Sequence, residues 1–264
     1  NNTLFPVYEK VRYLSDETYR TWFRAHPLPG DILFVNKGTP GRVCMVPDPV
    51  DFCIAQDMIA LRADDSKVYN KYLFAVLRSN EIQTQIYNTN VGDVIPHFKK
   101  QFMDQLLIPV PERKVQEAIG DLYYTLSYKI EHNKKINDNL QQQAQAIYTA
   151  MFISNADPAW AQGRLSDLIT VKYGKDHKKL ADGSYPVYGS GGIMRFVERP
   201  LYEKESVLIP RKGTLNNVMY VNQPFWSVDT MFYTEMRMPN VAKFVYHFVK
   251  AKDLASMNAG SAVP

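Results

Sequence analysis

The stretch from Pro111 to Phe152 constrains the fold of this chain more than any other feature of its sequence. After Pro111 the next proline is Pro158, Gly120 is the only glycine, and Glu, Gln, Lys, Ala and Leu fill much of the stretch. Those residue types favour helix, and proline suits a first helical turn because the N–H that it lacks would have no partner there. The stretch therefore predicts one helix of about 41 residues, roughly 60 Å long at ~1.5 Å per residue.

Apolar residues recur along this helix in alternating steps of four and three, as in the seam of a coiled coil. Polar residues occupy the intervening seam positions, which sets the register of pairing at some cost in stability. A helix of this length cannot bury such a stripe alone, so we expect a partner helix, and the chain contains no second stretch like it. The predicted partner-helix seam consists of Val115, Ile119, Leu122, Leu126, Ile136, Leu140 and Ile147.

Two segments of short apolar runs between glycine and proline turns flank the helix, and they repeat each other. Residues 30–46 align with residues 205–221 at a fixed offset of 175, which superposes two Lys-Gly-Thr turns. The match continues in the same order, with Met58 on Met231, 70–78 on 242–250 and 91–96 on 259–264. A period of about 168 residues is too long for a solenoid, so we interpret the repeat as two copies of one domain.

The sequence thus predicts an α+β fold, with two similar β-rich domains and short helices separated by one long coiled-coil-type helix. Neither copy is complete, so we expect a fragment or a rearranged form of a longer two-copy protein. The predicted boundaries are 1–110 for the first domain, 111–153 for the long helix, 154–163 for a linker and 164–264 for the second domain.

Local patterns add three expectations for the first domain. Residues 15–26 predict a short helix capped by Ser15 or Asp16, and residues 67–88 predict one further helix. The run QLLIPVP at 105–111 predicts a strand that leads into the long helix.

Composition bounds the class of protein and its surroundings. The sequence has no run of 18 apolar residues and no N-terminal signal pattern, which favours a soluble cytoplasmic protein without membrane contact. Cys44 and Cys53 are the only cysteines, and we expect them to be buried and reduced. Residues 164–264 carry 14 Lys and Arg against nine Asp and Glu, so the excess positive charge lies there and suits an anionic partner.

The sequence contains no complete catalytic motif. Gly189–Gly192 contains Ser190 but not the Gly-x-Ser-x-Gly pattern of a nucleophile elbow, and neither a phosphate loop nor a dinucleotide fingerprint occurs. We therefore predict a non-catalytic chain that binds no cofactor or metal. Two alternatives stay open: a methyltransferase or nuclease with degenerate motifs, and a protein-interaction scaffold that does not bind DNA.

Basic, aromatic and hydroxyl side chains in the loops suit DNA, because they hydrogen-bond phosphate oxygens and base edges. The alternative is a solvated charged hairpin and tight turns whose threonines bond only to the local backbone. The predicted DNA-binding residues are Lys37, Thr39, Arg42, Lys172, Tyr173, Lys175, His177, Lys178, Lys179, Tyr188, Ser190, Arg211, Lys212 and Thr214.

The repeat, the long helix and several sequence segments together resemble the specificity subunit of type I restriction-modification systems. The resemblance covers essentially the whole chain and is most specific from Ile95 to Leu140. The segments are PGDILFVNKGTPGRV, FCIAQDMIAL, VGDVIPHFKKQFMDQLLIPVPERKVQEAIGDLYYTLSYKIEHNKKINDNL and RLSDLITVKYGKDHKKLADGSYPVYGSGGI.

The resemblance implies a non-catalytic subunit with two target-recognition domains, each of which reads one half of a bipartite site in double-stranded DNA. It also implies conserved helices that pack antiparallel and dock modification (methyltransferase) subunits, which bind S-adenosylmethionine and methylate adenine. A restriction subunit and a second copy of the chain are further partner candidates. In these terms residues 1–110 are similar to the latter part of the first recognition domain, 111–153 to the central conserved helix and 164–264 to the second domain. The distal helix that should pair with residues 111–153 has no counterpart in the sequence.

Overall fold

A computed structural model describes residues 3–8, 11–23, 26–55, 57–89 and 96–257. The chain divides into two compact units, Asn1–Asp138 and Asn139–Pro264. Each unit combines antiparallel strands with short helices, and one long helix contributes to both. The predicted α+β fold class is confirmed. Among the described residues, no helix has the length and apolar character needed to cross a membrane.

The first unit is built around a three-stranded antiparallel sheet of order β2–β1–β3. Its core contains the fully buried aromatic rings of Phe34, Phe74 and Phe98. Its elements are α1 (Asp16–Thr21), β1 (Ile32–Val35), β2 (Val43–Met45), β3 (Met58–Leu61), α2 (Asn70–Leu77), α3 (Asn80–Asn88), a 3-10 helix (Lys100–Gln105) and the first part of α4 (Arg113–Thr149).

The short helices follow their capping residues. Ser15 caps α1 by accepting a hydrogen bond from Thr18 N, as the sequence predicts. The single helix predicted over 67–88 is instead two helices, because the Ser79 hydroxyl accepts from Ile82 N and begins a new helix. Arg78 lies between the two helices; its guanidinium donates to Val43 O at 2.8 Å and stacks on the ring of Phe74.

The strand predicted over 105–111 is wrong. Residues 106–110 form no strand and pair with none among the described residues. A side chain supplies the partner instead: Gln85 Nε2 donates to Leu107 O, and Leu107 N donates to Gln85 Oε1, both at 3.0 Å. Tyr72 Oη also donates to Pro109 O at 2.9 Å. An apolar, β-prone run is thus held by side-chain hydrogen bonds without a strand partner, which local pattern alone does not reveal.

The second unit contains two sheets, of order β4–β10–β7–β8 and β6–β5–β9. Its core includes Val187, Val197, Leu208, Phe225 and Met231. Its elements are the end of α4 with a π-helical turn (Ala150–Ser154), α5 (Leu165–Leu168), β4 (Ile169–Tyr173), β5 (Asp182–Gly189), β6 (Gly192–Val197), β7 (Ser206–Pro210), β8 (Met219–Val221), β9 (Trp226–Ser227), β10 (Met231–Met236) and α6 (Ala242–Lys250).

Strand register confirms the internal repeat residue by residue. Ile32 pairs with Met45 between β1 and β2, and the residues 175 positions later, Val207 and Tyr220, pair between β7 and β8. The same holds for the next strand: Val35 pairs with Met58, and Pro210 pairs with Met231. Helices α2 and α6 follow at matching places. The aligned residues 91–95 and 259–264 lie outside the described ranges.

The two copies differ at one sheet edge. Strand β10 pairs with β4 over five residues, from Phe232–Tyr173 to Met236–Ile169. Strand β3, which aligns with β10, is the last strand of its sheet as described. Residues 164–204 of the second unit therefore add β4, β5 and β6, for which no counterpart is described in the first unit.

Helix α4 confirms the predicted long helix, and its inner face packs on the first unit. Gln116 is only 3% exposed; its Oε1 accepts from Tyr69 N at 2.7 Å and its Nε2 donates to Pro111 O at 2.8 Å. Gly120 lies where α4 crosses α2, and a Cβ there would approach Tyr72 N to 2.6 Å. The one glycine of the helix therefore marks a close backbone approach.

The last turns of α4 pack on α6 within the second unit. Tyr148 is 6% exposed and lies against Phe244 and His247. Gln145 Oε1 lies 2.9 Å from His247 Nδ1, so the amide accepts the imidazole N–H. Burial lowers the pKa of His247, because the charged imidazolium is poorly solvated there.

This packing predicts that the second unit loses stability as the pH falls. Because the folded pKa of His247 lies below its ordinary value of about 6.5, the unfolded chain takes up the proton first. The stability present at pH 7.5 should therefore decline as the pH falls through 6.5 and on through the folded pKa. Urea unfolding followed by Trp226 fluorescence, with exposed Trp22 and Trp160 replaced by Phe, measures this. His247→Gln should flatten the slope near pH 6, and an unchanged slope would contradict the assignment.

The two cysteines are free thiols, and each is half-buried rather than fully buried. Burial raises the pKa of the Cys44 thiol to about 11, which leaves it protonated and unreactive at neutral pH.

Candidate nucleic-acid interface

Three loops of the second unit lie at the same end of its four-stranded sheet, where strands β4 and β7 finish and β10 begins. Tyr173 at the end of β4 pairs with Phe232, and Pro210 at the end of β7 pairs with Met231 at the start of β10. Because the strands are antiparallel, the loops that leave β4 and β7 and the loop that enters β10 meet there. We call this group of loops, with the β5–β6 turn described next, the loop edge; it comprises residues 174–181, 189–192, 211–218 and 228–230.

The β5–β6 turn packs directly on the second Lys-Gly-Thr turn. Asn217 Nδ2 donates to Ser190 O at 2.7 Å, and Val228 N donates to Tyr188 O at 3.1 Å. Gly213 has a φ of +81°, and a Cβ there would approach Ser190 Oγ to 2.6 Å. The positive φ favours glycine at position 213, and a larger residue there would also displace the Ser190 hydroxyl.

Arg211 begins this turn and stacks on two aromatic rings. Its guanidinium carbon lies 4.7 Å from the ring centre of Tyr173 and 5.1 Å from that of Phe232. Nη1 donates to Asp229 O at 2.9 Å, and the backbone N donates to Thr230 O at 2.9 Å. The structure thus brings together Tyr173 and Arg211, which the sequence predicts separately as DNA contacts.

The lysines of the loop edge are presented to solvent. None of the ion pairs between described residues involves the exposed Lys175, Lys178, Lys179 or Lys212, and Thr214 is also exposed. Asp176 Oδ1 accepts from Lys178 N at 3.0 Å, and this hydrogen bond lowers the pKa of Asp176.

Three residues predicted as DNA contacts are differently placed. Lys172 Nζ lies 3.7 Å from a Glu235 carboxylate oxygen, so it is part of an ion pair on the outer strand. His177 is half-buried, and its Nδ1 is buried without a hydrogen-bond partner among the described residues. Tyr188 is also half-buried, and its Oη accepts from Gln223 Nε2 at 3.4 Å.

The first unit carries the equivalent Lys-Gly-Thr turn. Gly38 has a φ of +84°, close to that of Gly213, and its N–H donates to Pro96 O at 2.9 Å. Lys37 lies 4.0 Å from Asp57, whereas Thr39 and Arg42 are exposed. The glycines of the two Lys-Gly-Thr turns therefore have nearly the same positive φ.

All seven predicted seam residues of α4 are exposed in the single chain, between 44% and 63%. The opposite side of the helix carries the contacts with the first unit, including Glu131, which accepts from Leu4 N at 2.6 Å. The apolar stripe is thus separate from the packed face, as a surface for a second helix would be.

Sequence reasoning missed several residues that build these sites. Phe232 completes the aromatic pair under Arg211, and Asn217 ties two turns together. Only strand register brings them there, although the repeat could have placed both near the second turn. Gln116 and Gly120 of α4 were likewise missed as contacts, since a buried glutamine has no periodic signature.

The described residues contain no group of three His, Cys, Asp or Glu side chains that could hold a metal ion. Two open grooves of about 630 and 430 Å³ lie beside β3 in the first unit and are lined in part by Arg62 and Lys100.

Comparison with known proteins finds similarity over the first half of the chain and in the fold. The model of the type I restriction modification DNA specificity domain matches residues 14–142. The HindI type I restriction enzyme specificity subunit of Haemophilus influenzae is 30% identical over 151 residues, which cover 54% of this chain and 32% of that protein. The chain thus aligns with about a third of the length of this curated relative.

The crystal structure of a type I restriction-modification S subunit from M. genitalium has a similar fold. The TM-score is 0.61 at 20% identity, over 85% of this chain and 64% of that chain. Over residues 14–142 the chain therefore matches the DNA specificity domain of type I restriction modification systems, and its fold is similar to that of a type I restriction-modification S subunit.

Proposed function

We propose that this chain is a non-catalytic DNA-reading subunit, which contacts one half of a bipartite target through the loop edge and docks partner subunits along α4. The observation that carries this proposal is the loop edge itself, where four exposed lysines without ion pairs among the described residues lie on loops that meet at one end of the sheet. Lysines that neutralise phosphates release the counterions condensed on DNA, and this release favours binding. Both half-sites are read in this proposal, because the first unit carries the same Lys-Gly-Thr turn.

Domain boundaries at 1–110, 111–153, 154–163 and 164–264 belong to the same proposal. In it the first and last ranges are the two readers, and 111–153 is the docking helix. The compact units divide within α4, after Asp138, because each end of that helix packs on a different core. We place this function in the cytoplasm, with double-stranded DNA as the ligand.

The partners that we propose for α4 are modification (methyltransferase) subunits and a second α-helix of the same type. A second copy of the chain can supply that helix, and a restriction subunit can join the assembly. The exposed seam supports this, because apolar side chains spaced by four and three are buried when two helices pair. S-adenosylmethionine would bind to the methyltransferase subunit and not to this chain.

Lys178 and Lys179 provide the direct test of phosphate contact. Replacing both by alanine should weaken binding to all duplexes alike and reduce the salt slope by about two, since each phosphate contact contributes ~0.9 to that slope. Fluorescence anisotropy with duplex DNA at several salt concentrations measures both quantities. The matched control is Lys204→Ala with Lys243→Ala, which removes two charges at the opposite end of β7 and β10. Equal losses in the two double variants would contradict the assignment.

The catalytic alternative has a separate test. The purified chain is incubated with duplex DNA and S-adenosylmethionine labelled on its methyl group. We expect no transfer of label until a methyltransferase subunit is added. Transfer by the chain alone would overturn the non-catalytic proposal.

A further inference from the structure

We infer that Arg211 reads a guanine base in the major groove while the neighbouring lysines contact phosphates; this rests on the proposed function of the loop edge. Arginine and guanine are matched because two N–H groups of the guanidinium donate to guanine O6 and N7 at once. The geometry around Arg211 favours that role over a phosphate contact in three respects.

The first is that the guanidinium is already held in place. It stacks on Tyr173 and Phe232, whose rings lie 5.1 Å apart at 64°, and Nη1 donates to Asp229 O. An arginine held in this way loses little side-chain entropy on binding, and its planar fork points in a defined direction. Flexible lysines such as Lys178 follow the charge of a phosphate without that precision.

The second is that one edge of the guanidinium remains available. Nη1 is used, but Nε and Nη2 of Arg211 donate to no group among the described residues. Two other arginines of the unit are engaged: Arg195 Nη2 donates to Asp182 Oδ1 at 2.7 Å, and Arg237 Nε donates to Thr170 Oγ1 at 3.1 Å. Arg211 is exposed, as is Tyr173 beneath it at 63%.

The third comes from the internal repeat. The offset of 175 places Lys212 on Lys37 and Thr214 on Thr39, but it places Arg211 on Asn36. Phosphates are the same at every site, so residues common to both readers suit phosphate contact, whereas a residue that differs suits the reading of a base. The aromatic pair differs as well, because the residue aligned with Phe232 is an isoleucine.

Selection of bound duplexes from a randomised pool tests this inference on the full chain. Wild-type protein should enrich a motif that contains an invariant guanine. Arg211→Gln should abolish the preference at that position, with a loss of about 10- to 100-fold in discrimination. Lys212→Gln is the matched control, because it removes one charge from the next residue. It should keep the motif, bind all duplexes more weakly and reduce the salt slope by about one.

The outcomes separate the inference from the proposed function. A wild-type chain that enriches no motif would overturn both. A wild-type motif that Arg211→Gln retains, with a uniform loss like that of Lys212→Gln, would overturn the base contact alone. If circular dichroism shows that Arg211→Gln is unfolded, Tyr173→Leu replaces it, since that exposed ring supports the guanidinium. Tyr173→Leu should weaken the preference at the same guanine, and an unchanged preference would overturn the inference.

Discussion

Replacement of Leu122 and Leu140 by aspartate will weaken association through α4 at least 100-fold and leave the fold intact. Both side chains are more than half exposed in the single chain, at 63% and 55%, so the free energy of unfolding should change by less than about 0.5 kcal/mol. In a paired seam the same carboxylates would be buried without partners, which costs several kcal/mol. Sedimentation of the chain alone and with a methyltransferase subunit measures association, and urea unfolding measures stability.

The control for the seam lies on the same helix. Gln142 is exposed and lies two residues after Leu140, which places it about 200° around the helix from the seam. Gln142→Asp should therefore leave association unchanged. If Leu122→Asp with Leu140→Asp associates as tightly as wild type, α4 does not pair through this stripe. If it unfolds the chain instead, the seam packs within the chain and is not a docking surface.

Substitution of alanine for Gly120 will destabilise the first unit by about 2–3 kcal/mol, the cost of overpacking a tight contact. Helix propensity alone predicts the opposite sign, because alanine is favoured over glycine by about 1 kcal/mol inside a helix. The tertiary contact decides: a Cβ at position 120 would approach Tyr72 N to 2.6 Å and Lys71 C to 2.9 Å, and backbone atoms cannot give way easily.

Urea unfolding of the first unit, followed by circular dichroism, measures this effect. Gly191→Ala is the control, since a Cβ at that position meets nothing within 4 Å, and its stability should stay within about 0.5 kcal/mol of wild type. A Gly120→Ala protein as stable as wild type would show that α4 and α2 are not in close backbone contact.

The features that extend over many residues, the long helix and the internal repeat, were predicted correctly from the sequence. The helix over Arg113–Thr149 follows from good helix formers without proline, and its exposed seam follows from the four-and-three spacing. The repeat fixed equivalent strands so well that the pairing of Ile32 with Met45 recurs 175 residues later as Val207 with Tyr220. Local hydrogen-bond alternatives explain the two errors in predicted helices and strands, because Ser79 divides one predicted helix and Gln85 replaces a predicted strand partner.

The candidate DNA contacts divide in the same way. Their residue types and turns are visible in the sequence, since Lys, Thr and Gly recur at matched positions. The sequence does not show which of these basic side chains form ion pairs. Lys172 and Glu235 are 63 residues apart and meet only when β4 pairs with β10. The same pairing places Tyr173 beside Phe232 and creates the support for Arg211.

Amino-acid order alone thus determined a long helix with an apolar stripe, two copies of one β-rich domain and a basic second copy. Those properties depend on spacing and composition along the chain, which need no knowledge of distant neighbours. Tertiary structure decided which basic side chains are free, which arginine is held rigid, and why the helix has a glycine at position 120. These depend on side chains and backbones brought together across sheets and between helices, and that proximity is set by packing of the whole unit.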